Sequence, residues 1–274
     1  MSDRFPKTDF GRATSRSLHI QALLQPERMQ GLGFGFAMIP FLRRLYADPA
    51  ERGEALRRHL AYFATHPLLA GFVLGAAARL EERRAAGEPI SDATIDGAKR
   101  AMATPLAGLG DPLFWVTLRP LAGLLGVIAL LVLPPPASGA PDLRVLLCPL
   151  FLLLTYNAVA LPYRLAGVAR GYREGDRPAA LLRSLQLSER NAILERVGAF
   201  AFGAFLAFAA LGQGPVGAAA KSGAADGGAA WALMLTPVAL GAGVGLIGRR
   251  AASGRPVEIA LVALLAGCVM AAWV

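Results

Sequence analysis

Long stretches without a single charged residue fill the second half of this 274-residue chain. Five such runs follow one another, and they cover residues 121–140, 145–163, 197–220, 229–248 and 259–274. A helix needs about twenty apolar residues to cross the hydrocarbon core of a bilayer, and most of the runs are near that length. The whole chain is 55% hydrophobic and only 17% charged, which suits lipid as a solvent better than water. The pattern therefore predicts an all-α polytopic membrane protein with several transmembrane helices.

The charges between these runs predict how the helices are oriented. Residues 164–196 contain seven arginines and 248–258 contain three, whereas 141–144 and 221–226 each hold one basic and one acidic residue. Because Lys and Arg are retained on the cytoplasmic side of a membrane, the first two loops are expected in the cytoplasm. The net charge of +9 is then topogenic, and a basic face for nucleic acid is the less favoured alternative. We expect a multi-pass protein in contact with membrane lipid and without a nucleic-acid partner.

The first 120 residues follow a different pattern. Their apolar runs, 31–42 and 67–78, have twelve residues each, are too short to cross a bilayer alone, and carry Gly or Pro at their ends. Such interrupted segments are typical of re-entrant hairpins, which a bilayer tolerates when they pack in protein or line a cavity. A small cytoplasmic helical domain is the alternative. Between the two runs, apolar residues at helical spacing predict a helix over 50–63.

Three groups of polar residues interrupt these apolar stretches, at 25–30, 65–67 and 105–115. Ionisable groups at the edge of a membrane-buried segment are costly, and they usually mark a substrate path or an ion pair. A hexose needs hydrogen-bond donors and acceptors at fixed positions and an aromatic face for its C–H surface, so these groups fit a sugar. The candidate substrate-binding residues are Gln25, Glu27, Gln30, Thr65, His66, Gly110, Asp111 and Trp115.

Structural alternatives exist for each of these groups. Glu27 and Arg28 could pair with neighbouring charges, and Trp115 could be an aromatic residue of the membrane interface. Gly110 would permit a tight turn or a close backbone approach. Residues 108–112 could then be only a turn before a helix that has Pro112 at its first position. The sequence leaves these alternatives open. It also predicts two regions, an amino-terminal sugar-facing helical and re-entrant region (1–120) and a transmembrane helical region (121–274).

Other kinds of chemistry find little support in the sequence. The two cysteines, Cys148 and Cys268, lie in apolar runs without metal-type spacing, and the three histidines form no HExxH motif. Glycine-rich residues 31–35 do not follow a strand, so they are a weak signal for phosphate binding. We therefore expect no metal site, no cofactor and no catalytic residue in this chain.

Spaced motifs along nearly the whole chain resemble a known family. They lie at residues 27–30, 38–40, 42–46, 57–60, 63, 65–67, 80–82, 87–90, 105–115, 119–120, 163–164 and 171–172. In this order they resemble the IID subunit of the mannose/fructose/sorbose family of phosphoenolpyruvate-dependent sugar phosphotransferase systems. The resemblance is dense over residues 15–175.

This resemblance implies a function and a set of partners. A IID subunit pairs with a second subunit, IIC, in the bacterial inner (plasma) membrane, and the heterodimers form trimers. The pair binds and translocates a hexose while a cytoplasmic IIAB protein, or separate IIA and IIB proteins, phosphorylates it. Those proteins carry the phosphorylated histidines, so a IID subunit needs none. The alternatives are an orphan or regulatory IID-like protein without sugar import, and a scaffold that binds a cytoplasmic partner through residues 164–196.

Overall fold

The computed structural model describes residues 5–132 and 143–213. A π-helical segment and a short 3-10 turn join some of the helices in this part of the chain. Turns and loops join the others, and the β-structure of the described residues consists of isolated bridges. The predicted all-α fold is confirmed. The helices are α1 Lys7–Ser17, α2 Gly31–Leu45, α3 Pro49–His59, α4 Ala70–Ala85, α5 Asp92–Asp111, the π-helical segment Pro112–Leu118, α6 Arg119–Val132, the 3-10 turn Leu143–Leu146, α7 Leu147–Glu174, α8 Pro178–Ser184 and α9 Leu187–Gln213.

Two of the described helical segments are long and apolar enough to cross a membrane. They are Asp92–Ala129 and Leu147–Glu174, which contain 18-residue stretches with mean hydropathies of 1.6 and 1.2. The second contains the uncharged run 145–163 and continues into the arginine-rich part of the sequence. The first begins well before the predicted run 121–140, because α5 and the π-helical segment extend the helix backward.

Several predicted features lie outside the described residues. The uncharged runs 229–248 and 259–274, the loops 221–226 and 248–258, and Cys268 belong to this group. The described residues form two compact units, one made of 5–116 and 155–190 and the other of 117–132, 143–154 and 191–213. All eight candidate substrate-binding residues belong to the first unit.

The two short apolar runs of the amino-terminal half are helical. Run 31–42 lies in α2, which has 15 residues, and run 67–78 overlaps α4, which has 16. That these helices enter the bilayer as re-entrant hairpins stays a prediction. The helix predicted over 50–63 ends earlier, at His59. Its last predicted residue, Phe63, instead accepts a backbone hydrogen bond of 2.8 Å from Gln30.

A proline inside α2 is compensated by a side chain from α1. Pro40 has no N–H, so the carbonyl of Phe36, four residues earlier, loses its helical hydrogen-bond partner. The guanidinium of Arg16 donates to this carbonyl over 3.2 Å and lies 4.6 Å from the centroid of the Phe36 ring. The contact satisfies the freed carbonyl and fastens α1 to α2.

Aromatic rings from three elements form a core between α1, α2 and α7. Phe10 lies 5.4 Å from Phe41 and 5.1 Å from Tyr172 between ring centroids, and both pairs meet edge-on. Phe5, which precedes α1, is 4.9 Å from Phe41 in the same type of contact. Edge-to-face pairs of this kind contribute about 0.5–1.5 kcal/mol each beyond the area that they bury. The cluster therefore anchors the amino-terminal segment to the candidate span α7.

α4 and α7 approach each other so closely that glycine is required at the crossing. A Cβ atom at Gly75 would lie 2.1 Å from the carbonyl oxygen of Val168, and one at Gly171 would lie 2.0 Å from that of Phe72. Small residues allow such backbone contact between helices in a membrane, where packing drives helix association. The crossing places the start of α4, and with it His66, beside α7.

α5 begins at a capped residue and continues further than the sequence suggested. The Ser91 side chain accepts a hydrogen bond of 3.1 Å from the amide of Thr94. The interpretation of residues 108–112 as a turn before a helix is wrong, because α5 runs to Asp111 and passes directly into the π-helical segment. Pro112 cannot donate to the carbonyl four residues earlier, and the helix widens into a π-helix at this position.

Candidate functional site

Gln30 and Thr65 form a buried hydrogen-bonded pair. The Gln30 side-chain amide donates to the carbonyl of Thr65 over 2.8 Å and accepts from the Thr65 amide over 3.2 Å. The Thr65 hydroxyl donates to the carbonyl of Ala103 in α5 over 2.8 Å. Both residues therefore use polar groups to join the start of α2, the segment before α4, and α5.

His66 is the centre of a second group of candidate residues. Its ring is buried, and the indole N–H of Trp115 donates to its Nε2 atom. The Oδ1 atom of Asp111 lies 4.0 Å from the same nitrogen. Because an indole N–H can only donate, Nε2 accepts from Trp115, and Nδ1 in turn lies 3.4 Å from the donating backbone amide of Leu68.

The charge state of His66 follows from its surroundings. Burial lowers its pKa to about 4, and the positive charge of Arg164 acts in the same direction. The ring is therefore neutral at neutral pH and keeps Nε2 free to accept from Trp115. In contrast, the Asp111 side chain is 62% exposed and Trp115 is 47% exposed. One exposed carboxylate and one half-exposed indole thus lie beside a buried, neutral histidine.

Close packing holds the His66 ring in place. A Cβ atom at Gly110 would lie 2.8 Å from the Cβ of His66 and 2.8 Å from Cδ1 of Leu69. On its face, His66 stacks on Phe114, with ring centroids 4.9 Å apart and an angle of 24° between the planes. Phe114 in turn meets Tyr163 of α7 edge-on at 5.6 Å. Gly110 therefore serves a close approach of α5 to His66, which is one of its two predicted roles, and does not form a tight turn.

Gln25 and Glu27 lie in a loop between α1 and α2. The backbones of Gln25 and Met29 exchange two hydrogen bonds, of 3.2 and 2.8 Å, and Met29 has a φ of 50°. The Glu27 side chain at the tip of this loop is exposed. Among the described residues, it forms no ion pair with Arg28. The structure thus brings Gln30 together with Thr65, and His66 with Gly110, Asp111 and Trp115. It describes no side-chain contact that adds Gln25 or Glu27 to either group.

A third polar group was not predicted from the sequence as part of any site. The fully buried Glu81 of α4 accepts hydrogen bonds from the Tyr46 hydroxyl over 2.6 Å, from Nε of Arg58 over 2.7 Å and from Nε2 of His59 over 2.8 Å. Burial by itself would raise the pKa of Glu81. The hydrogen bonds from His59 and Tyr46, with the charge of Arg58, outweigh it and hold that pKa at about 2. Glu81 is therefore an ionised carboxylate with three donors.

The helical spacing of α4 contained a signal for this group. Glu81 follows Ala77 by four residues and Leu74 by seven, so all three share one face of the helix. Leu74 and Ala77 are buried, and the carboxylate continues the buried stripe. A charge in line with an apolar face requires partners, and Tyr46, Arg58 and His59 supply them.

The fold and these groups describe a helical chain with two candidate membrane spans and a polar, partly exposed candidate site beside one of them. A family model for the PTS system mannose/fructose/sorbose family IID component matches residues 4–210 of the chain. The chain therefore belongs to the IID family of sugar phosphotransferase systems, and the resemblance read from its motifs is confirmed.

Individual members of the family are similar over much of the chain. The mannose-specific EIID component of Escherichia coli K12 is 42% identical over 174 residues, which are 63% of this chain and 57% of the relative. The sorbose-specific EIID component of Lacticaseibacillus casei is 38% identical over 186 residues, 68% of this chain and 60% of the relative. The similarity thus spans less than two thirds of these relatives.

Solved structures agree with the membership. A cryo-EM structure of the mannose transporter ManYZ in complex with microcin E492 is similar with a TM-score of 0.56 and 38% identity, covering 77% of this chain and 72% of that chain. A second structure, of a membrane protein, has a TM-score of 0.62 and 36% identity at the same coverage. A membrane location follows for this chain as well.

Proposed function

We propose that this protein is the membrane permease subunit IID of a mannose-type phosphotransferase system. It binds a hexose and translocates it together with a IIC subunit, while a IIB partner phosphorylates the sugar in the cytoplasm. The observation that carries this proposal is the arrangement of Asp111, Trp115 and His66. It combines an exposed carboxylate, an exposed aromatic face and a buried neutral imidazole within hydrogen-bonding distance of the indole.

Each member of this group has a separate task in holding a sugar. The Asp111 carboxylate accepts hydrogen bonds from sugar hydroxyls, and acceptance by a charged group is about twice as strong as by a neutral one. The face of Trp115 covers the C–H surface of the ring. His66 fixes the indole by accepting its N–H. The loop that carries Gln25 and Glu27 adds further polar groups, and Gln30 and Thr65 hold the start of α2 in place for it.

The partners and location of the proposed subunit follow from the family. The protein is a multi-pass protein of the bacterial inner membrane, in which it forms trimers of IIC–IID heterodimers. Cytoplasmic IIAB, or separate IIA and IIB proteins, supplies the phosphoryl group. Region 1–120 faces the sugar, and region 121–274 supplies the remaining transmembrane helices. The chain itself carries no phosphoryl group.

Uptake of radiolabelled sugar tests this proposal. Cells co-express the chain with its neighbouring IIC and IIB proteins and are offered mannose, glucose, fructose and N-acetylglucosamine. Asp111→Asn is expected to lower the apparent affinity for the transported sugar about 10- to 100-fold, the value of a charged hydrogen bond. Glu27→Gln tests the loop in the same way. The matched control is Asp96→Asn on the same helix, because that carboxylate pairs with Arg100.

The outcomes separate the proposal from its alternative. Normal uptake by Asp111→Asn and Glu27→Gln would remove the site assignment. An assembled wild-type complex that takes up none of the four sugars would favour an orphan or regulatory IID-like protein. The same assay in membrane vesicles, with sugar-dependent phosphorylation as the readout, reports whether the bound sugar reaches IIB.

A further inference from the structure

Glu81 lies where four helices of the first unit meet. Its donors are Tyr46, which follows α2, and Arg58 and His59, which end α3. Nη1 of Arg58 also reaches Oδ1 of Asp92, the first residue of α5, over 3.0 Å. We name these five residues, Tyr46, Arg58, His59, Glu81 and Asp92, the Glu81 cluster. It joins α2, α3, α4 and α5 through one carboxylate and one guanidinium.

The centre of this cluster is dry and almost fully paired. The side chains of Glu81 and His59 are inaccessible to solvent, and that of Arg58 is 11% exposed. Because a carboxylate only accepts, the Nε2–H of His59 donates to it. His59 Nδ1 is then a buried acceptor without a partner in the described part of the chain. Loss of one partner in such a place leaves the others as uncompensated buried polar groups, so the cluster acts as a unit.

The cluster and the candidate sugar site are connected through α5 and through the end of α3. A helix rises 1.5 Å per residue, so the 20 residues of α5 separate Asp92 of the cluster from Asp111 by about 30 Å. His59 connects the cluster to the start of α2, because its ring centroid lies 5.8 Å from that of Phe34, which follows Gln30 by one helical turn. A change of position in the cluster therefore moves the start of α2 directly and the far end of α5 through a rigid helix.

The part of α4 that carries Glu81 also contacts the arginine-rich part of the chain. Arg79 and Arg83 of α4 pair with Asp176, which follows α7, over 3.5 and 3.0 Å. Asp176 belongs to segment 164–196, which the positive-inside rule predicts in the cytoplasm. Glu81 is therefore near the predicted cytoplasmic end of α4.

We propose that Glu81 is a positioning residue for sugar binding, because it holds α2, α3, α4 and α5 together and so fixes the candidate residues that lie on or beside these helices. This role rests on the proposed sugar site. Glu81 itself touches no sugar. A displacement of about 1 Å in a binding arrangement is enough to cost about 100-fold in rate, so a loosened cluster is felt at the site.

The neighbouring residue is a matched control. Glu82 is also buried, accepts from Nη1 of Arg79 over 2.8 Å, and accepts from the hydroxyl of Tyr172. It therefore has the same chemistry as Glu81, with an arginine and a tyrosine as donors. The difference is that these contacts of Glu82 join α4 to α7 and leave α2, α3 and α5 out. Glu81→Gln and Glu82→Gln separate positioning of the site from general stability.

The first experiment measures sugar uptake in the co-expressed complex with whichever of the four radiolabelled hexoses the wild type takes up. Glu81→Gln is expected to raise the apparent KM about tenfold per assembled complex, and Glu82→Gln less than about twofold. Glu81→Asp keeps the charge and is expected to restore part of the affinity. Tyr46→Phe removes one donor, still allows folding, and is expected to raise KM about threefold. Equal KM changes in the two Gln variants, or a fall in assembled complex alone, would overturn the proposal.

The second experiment does not depend on transport. The chain contains three tryptophans, so Trp231→Phe and Trp273→Phe leave Trp115 as a reporter in the purified full-length protein in detergent. Acrylamide quenching of Trp115 is expected to rise in Glu81→Gln and Tyr46→Phe but not in Glu82→Gln. Unchanged quenching in the first two variants would contradict the positioning role. A wild-type complex without uptake but with this quenching pattern would contradict the proposed function and leave the link between cluster and site in place.

Discussion

Two polar groups of the first unit differ in how completely their hydrogen bonds are satisfied. In the exposed group, the candidate sugar site, Asp111 and Trp115 are exposed, and the carboxylate lies 4.0 Å from Nε2 of His66. In the buried group, the Glu81 cluster, Glu81 is inaccessible to solvent and accepts three hydrogen bonds. The exposed carboxylate has acceptors open to a ligand, as the proposed sugar site requires, whereas the Glu81 carboxylate uses its acceptors to hold helices together.

This difference distinguishes a charge that is paired within the protein from a charge that is exposed at a candidate binding site. Ionisable residues near membrane-embedded segments are expected to be functional. Glu81 satisfies that expectation only indirectly, because its partners all come from the protein. Asp111 differs because its carboxylate is exposed, as the proposed sugar site requires. Substitutions in the exposed group and in the buried group should therefore separate effects on stability from effects on binding.

The largest expected effect is on the stability that the buried group, the Glu81 cluster, provides. Glu81→Gln removes the buried charged partner of Arg58 and His59 and leaves Arg58 with the exposed carboxylate of Asp92, which costs about 3–5 kcal/mol of unfolding free energy. Asp111→Asn changes an exposed group and should stay within about 0.5 kcal/mol. Thermal unfolding of the purified chain in detergent measures both. Equal shifts of the unfolding temperature in the two variants would show that the exposed and buried groups do not differ in their contribution to stability.

The next largest effect is the pH dependence of the same cluster. The pKa of Glu81 is about 2, below its ordinary value of 4.5. Its stabilising contribution is therefore complete above pH 4.5 and is lost as the pH falls through about 2. The difference in melting temperature between the wild type and Glu81→Gln should be constant from pH 7 to 5 and narrow steadily below 4.5. A constant difference down to pH 3 would contradict the assignment of an ionised Glu81.

Much of the fold could be predicted because long apolar runs and loop charges act over many residues. Run 145–163 indicated α7, and runs 31–42 and 67–78 indicated α2 and α4, although the ends of the helices differ. The segment 105–115 was harder. Glycine and proline there are typical of a turn, but local preferences were overridden by continuation of α5 and by packing of Gly110 on His66.

A smaller effect is expected at Gly110, whose close packing on His66 supports the exposed group. Gly110→Ala adds a Cβ atom 2.8 Å from that of His66, so the ring must move. Overpacking of this kind costs about 1–3 kcal/mol. It also weakens the hydrogen bond from Trp115, so sugar affinity should fall together with stability. Gly97→Ala on the same helix has open space around its Cβ position and is the matched control. Equal unfolding temperatures for both variants would argue against the close contact.

The members of the candidate site could be proposed from the sequence, but most of their contacts could not. His66 is distant in sequence from Asp111 and Trp115, and only spaced motifs and sugar chemistry suggested that the three belong together. Nothing in the sequence indicated that the Gln30 amide is used by the backbone of Thr65, because such pairing depends on how α2 and the segment before α4 fold against each other. The cluster around Glu81 was missed because its members come from separate segments that meet only when α2, α3, α4 and α5 pack together.

The smallest expected effect concerns Thr65, whose hydroxyl either holds the protein together or serves the exposed group. Its hydroxyl donates to the carbonyl of Ala103. Thr65→Val keeps the shape and removes that hydrogen bond, which is worth about 1 kcal/mol and a melting temperature about 2–4 °C lower. Thr65→Ser keeps the hydroxyl and serves as the control. If Thr65→Val lowers sugar affinity but leaves the melting temperature unchanged, the hydroxyl serves the ligand. The residue would then belong with Asp111 and Trp115, because its hydrogen bond within the protein would contribute nothing to holding α5 in place.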